Sequence, residues 1–99
     1  MYVILTSKPG QYRTELGEGL RPVEAWDYLF YGRLRAQFVI AEIEGAPRVR
    51  VVDLADQPVV NEVPSKFLQK YASTELARDA LRDMARFGQM DIALVQRAL

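Results

Sequence analysis

"AWDYLFYGRLRAQFVIAEI", Ala25 to Ile43, carries most of the aromatic weight of the chain beside two arginines. Two periods compete within it. As a helix, Val23, Trp26, Leu29 and Phe30 share a face by i, i+3, i+4 spacing. As a strand, Trp26, Tyr28 and Phe30 point one way and Ala25, Asp27, Leu29 and Tyr31 the other. Aromatic enrichment and the stop at Gly32 favour the strand. Phe38-Val39-Ile40-Ala41-Glu42-Ile43 is a second strand, so the stretch is two adjacent strands broken at Tyr31-Gly32-Arg33.

Working outward, Tyr2 to Thr6 is β-branched and apolar, and Lys8-Pro9-Gly10 ends it with a turn. Gln11 to Leu16 forms a short strand, and Leu16 to Pro22, loosened by Gly17 and Gly19, is the expected mobile loop. After Ile43, Glu44-Gly45-Ala46-Pro47 turns the chain into a strand from Arg48 to Leu54, so 37–54 reads as a hairpin. Val59 to Val63 is a short extended piece. Pro64-Ser65 starts a short helix near 65–71, with Phe67, Leu68 and Tyr71 on one side.

The main helix is expected over about 74–87. Ser73 is its N-cap, and Gly88 is the residue past its C-terminal end. Leu76, Ala77, Ala80, Leu81, Met84 and Phe87 make its apolar stripe. Glu75–Arg78, Asp79–Arg82 and Asp83–Arg86 are acid-then-base pairs three apart. Ile92 to Val95 closes the chain as a strand. The sum is an α+β protein, one small domain over 1–99, with an antiparallel sheet of about five strands and the helix packed on one face.

Composition narrows the chemistry. The 99 residues include neither cysteine nor histidine, which removes disulfides, thiolate nucleophiles, Cys-based zinc sites and serine triads. Thirteen acids balance thirteen bases. The signs are mixed along the chain, so no half carries the one-sided field that steers a protein onto nucleic acid. No apolar run reaches the roughly 18 to 20 residues of a membrane span. The opening residues read as a strand rather than a signal peptide, and the expected location is the cytoplasm. Zero net charge removes one barrier to self-association.

Each candidate motif has a plainer account beside it. Gly17-Glu18-Gly19 lacks the third glycine of a dinucleotide fingerprint, because position 22 is proline. Asp53 and Asp56 sit close together but lack calcium-loop spacing. Arg33, Arg35, Arg48 and Arg50 would form an anion site if strands 33–43 and 48–54 were neighbours, whereas cross-strand pairing with Glu42 and Glu44 would neutralise them. Aromatics beside arginine suggest single-stranded nucleic acid, but no RNP-like run is present, and nucleic acid is disfavoured.

The residues therefore favour binding over catalysis, with no cofactor, no metal and no catalytic residue assigned. The leading expectation is a non-catalytic interaction module, a small accessory or regulatory subunit that self-associates or binds a partner protein. Its contact residues are Tyr28, Phe30, Tyr31, Arg33 and Arg35, since interfaces favour tyrosine and arginine. The alternative is a cofactor-independent enzyme or binder of a small aromatic or anionic molecule. There Trp26 and Phe30 would line a sheet–helix pocket, and Arg33 or Arg35 would hold a carboxylate.

Overall fold

The computed structural model describes residues 1–54, 59–85 and 90–99. Strands β1 (Tyr2–Ser7), β2 (Tyr12–Glu15), β3 (Leu20–Phe30), β4 (Arg33–Ile43), β5 (Arg48–Asp53) and β6 (Val59–Pro64) precede a 3-10 turn at Ser65–Phe67. Helix α1 (Thr74–Met84) and strand β7 (Ile92–Arg97) follow. The fold is α+β as expected, but with seven strands in two antiparallel sheets among the described residues. The larger sheet has the order β1-β4-β3-β7 and the smaller the order β2-β5-β6.

The break at Tyr31-Gly32 is a two-residue hairpin turn. Phe30 is the register partner of Arg33. Both turn residues have positive φ, 50° at Tyr31 and 76° at Gly32, as a type I′ turn requires. The strand reading of 25–43 therefore holds, and β3 and β4 are the two arms.

The expected 37–54 hairpin does not form. β4 pairs with β1 on one side and β3 on the other, so it has no free edge for β5. The reason is that β4 is apolar on both faces. Phe38 and Ile40 pack toward α1, whereas Val39, Ala41 and Ile43 face the other way. A strand buried on both faces belongs at the middle of a sheet. β5 lies instead over the second face, where Val49 packs with Val3, Leu5, Leu20 and Ala41.

Two cores thus share β4. The first is the sheet–sheet layer around Val3 and Ala41. The second joins Ala36, Phe38 and Ile40 to Ala77 and Leu81 of α1. Ser73 caps the helix as expected, its hydroxyl accepting from the Leu76 N–H at 3.1 Å. Ala77 and Leu81 are buried, while Leu76 and Met84 stay exposed, so the stripe is narrower than its sequence suggests. Phe87 and Gly88 lie outside the described residues, as do Arg86 and Asp56.

Two local expectations are corrected. The short helix near 65–71 is a 3-10 turn confined to Ser65–Phe67, because the chain is then drawn into pairing with β1: Tyr71 and Tyr2 exchange backbone hydrogen bonds at 2.8 Å. Leu68 consequently joins the sheet–sheet core and Tyr71 the helix–sheet core, while Phe67 is exposed. The expected loop 16–22 is structured from Leu20 onward as β3. Gly19 supplies φ +83° and accepts a hydrogen bond from the Glu44 N–H at 2.9 Å, which ties the two ends of the β3–β4 unit together.

Candidate functional site

The β3–β4 hairpin carries all five candidate contact residues to one end of the larger sheet. Tyr31 stands at the tip and is 59% exposed. Its ring meets Phe30 edge-on, with centroids 4.7 Å apart, and the Arg35 guanidinium lies 5.8 Å from the Phe30 centroid. Aromatic edges and cation–π contacts of this kind hold side chains in place at modest energetic gain. Tyr28 is half-buried and meets Phe38 edge-on at 6.3 Å. Arg33 is exposed beside Phe30.

A β-bulge decides where Arg35 points. Tyr28 pairs with Ala36 and Leu29 with Leu34, so Arg35 is the extra residue opposite the Tyr28–Leu29 step. Simple alternation would set Arg35 on the side of Gln37 and Val39. The bulge re-aims it onto the aromatic face, the function bulges commonly serve beside binding sites.

That face borders a cavity of about 520 Å³ whose lining includes Lys8, Gln11, Tyr28, Arg35, Phe38 and Met84. Four segments contribute: the end of β1 with its turn, β3, β4 and the last turn of α1. Trp26 does not line this cavity. It borders a smaller one of about 280 Å³ with Arg78 and Leu94.

The four arginines do not converge. Arg33 and Arg35 belong to the larger sheet, and Arg48 and Arg50 to the smaller one. Arg50 lies 3.8 Å from Glu15, and the concavity beside Arg48 and Arg50 also contains Glu18, Glu44 and Glu62. Mixed signs there leave no anion site. Glu42 pairs with Arg21 at 2.9 Å rather than with any of the four. The Arg21 hydrogen bond and charge hold the Glu42 carboxyl below its usual range.

Sequence reasoning missed two side chains that organise the site. Glu24, on β3, accepts from Arg78 of α1 at 2.8 Å and from the Trp26 indole N–H at 3.0 Å. This carboxylate, with its side chain 12% exposed, fixes the helix over the aromatic face. Arg78 is therefore not Glu75's partner, although Arg82 does lie 3.5 Å from Asp79. The sequence places Lys8 only in a turn. A turn lysine carries no local signal that it will border a pocket shared with Tyr28, Arg35, Phe38 and Met84.

No cluster of metal-ligating side chains occurs among the described residues, and none of their helices is long and apolar enough to cross a membrane. No protein-family model, curated protein or solved structure matches the chain.

Proposed function

We propose that the chain is a non-catalytic interaction module that pairs with a second copy of itself through the tip of the β3–β4 hairpin. One observation carries this reading: an exposed tyrosine occupies a left-handed backbone position, φ 50°. Asparagine, aspartate or glycine suits that position in a type I′ turn, and a bulky residue there costs about 1 kcal/mol or more. A costly ring displayed to solvent is worth its strain when something else binds it.

The chemistry around Tyr31 fits a two-fold copy. On one side Arg33 is the partner of Phe30; on the other the Tyr31 N–H donates to the Asp91 carbonyl at 2.8 Å. Arg33 and Asp91 are both exposed, and neither is in an ion pair among the described residues. A two-fold axis near Tyr31 sets each basic flank against the acidic flank of the other copy, as an isologous interface requires. The chain's zero net charge opposes association no further.

A charge swap tests the arrangement. Arg33→Asp and Asp91→Arg should each weaken dimerisation, and a mixture of the two variants should recover it as a heterodimer. Sedimentation velocity reads all three. A wild type that stays monomeric across its soluble range, or a mixture that recovers nothing, overturns the proposal.

A further inference from the structure

We infer that the cavity between the last turn of α1 and the β3–β4 hairpin binds a small aryl carboxylate. This assignment does not depend on dimerisation: it uses Lys8 and Arg35, whereas the tip uses Tyr31, Arg33 and Asp91.

Charge comes first. Among the described residues, the cavity lining includes two cations, Lys8 and Arg35, and no carboxylate. Neither cation is in an ion pair among the described residues. By contrast, the described lining of the concavity beside Arg48 and Arg50 also contains Glu18, Glu44 and Glu62. An uncompensated pair of cations around a concavity attracts an anion.

Shape then selects the anion. The volume, about 520 Å³, lies in the range of small-molecule sites. Its wall is aromatic: Tyr28 and Phe38 stand at an interplanar angle of 89°, with the small side chain of Ala36 beside them. A flat ring can lie against Phe38 and meet the edge of Tyr28, in the geometry aromatic groups prefer. Met84 is 44% exposed and borders the opening. Its unbranched thioether adapts to whatever ring enters.

Orientation is built in. The bulge places Arg35 on the aromatic face, and the Phe30 ring supports its guanidinium. A planar fork held in this way suits the two oxygens of a carboxylate, and Lys8 adds a point charge. Gln11 supplies a neutral donor at the same rim. The predicted ligand therefore joins one ring to one carboxylate over a short linker. Inorganic anions would satisfy the cations but leave the aromatic wall bare.

The test is an NMR titration of the full chain with 3-phenylpropionate, its neutral amide, propionate and inorganic phosphate. Saturable shifts should appear with 3-phenylpropionate at the amides of Lys8, Gln11, Tyr28 and Arg35. The amide, propionate and phosphate should each bind about tenfold more weakly or worse, since each lacks either the charge or the ring. Lys8→Gln and Arg35→Gln, both at exposed positions, should each cost about tenfold. Arg48→Gln and the dimer-defective Asp91→Arg should bind as the wild type does. The inference falls if 3-phenylpropionate gives no saturable shift up to about 10 mM, a concentration that would reveal even millimolar affinity. It falls equally if the amide or phosphate binds as well, or if Arg35→Gln changes nothing.

Discussion

Glu24 on β3 and Arg78 on α1, 54 residues apart in sequence, meet at 2.8 Å and fasten the helix to the sheet. The same carboxylate accepts from the only tryptophan in the chain, Trp26. One acidic side chain thus holds both the helix and the Trp26 indole. Glu24→Gln keeps an acceptor for Trp26 but loses the ion pair. A charged, partly buried hydrogen bond is worth about 1.5 to 3 kcal/mol, so the variant should lose about 2 kcal/mol. Urea melts followed by Trp26 fluorescence would measure it. A loss no larger than that of the exposed-pair variant Asp79→Asn would mean that Arg78 does not anchor the helix.

Leu81 is 1% exposed and is the largest helical side chain in the helix–sheet core. Leu81→Ala should cost about 2 to 5 kcal/mol, the range for a truncated core leucine. Leu81→Asp should abolish cooperative unfolding, because an unpaired buried charge exceeds the stability a small domain holds in reserve. A Leu81→Asp protein that melts like the wild type would refute the packing of α1 on this sheet.

Gly19 and Gly10 make a controlled comparison. Both have positive φ, +83° and +76°, but a Cβ at Gly19 would lie 3.0 Å from the Glu44 carbonyl oxygen and 3.1 Å from Pro47 Cβ. A Cβ at Gly10 would meet nothing within 4 Å. Gly10→Ala should therefore cost only the conformational term, about 1 kcal/mol, and Gly19→Ala clearly more. Equal losses by thermal denaturation would show that the closure of the β3–β4 unit at Gly19 and Glu44 is not packed as described.

Glu42 gives the pH prediction. Arg21 holds its carboxyl below the usual range in the folded state. A depressed folded pKa contributes stability that is present above the unfolded value and is lost as pH falls through the folded value. Carbon-detected NMR should place the Glu42 midpoint below that of an ordinary glutamate, and Arg21→Gln should raise it. An unchanged midpoint in Arg21→Gln would remove Arg21 as the cause.

The strands and the helix cap were legible because they rest on local signals: β-branched runs, Ser73 before an apolar stripe, and Gly32 after an aromatic strand. Sheet membership was not. Val49 and Val51 read as a partner strand for 37–43, yet the two-faced burial of β4 sends them to a second sheet. The five candidate contact residues do share one end of the hairpin. The direction of Arg35, however, depends on a bulge that alternation cannot reveal. Lys8 and Glu24 act through partners far along the chain, and spacing carries no trace of them.

Tyr31 holds the central claim, that the hairpin tip accepts strain in order to make a contact between copies. Tyr31→Asn relieves the left-handed backbone and removes the ring, so its two effects should have opposite signs. Sedimentation equilibrium on wild type and variant, with a thermal melt below the dimerisation range, reads both. The account predicts a wild-type dimer and a Tyr31→Asn monomer whose fold is more stable by about 0.5 to 1 kcal/mol. A variant that dimerises as tightly as the wild type would contradict it.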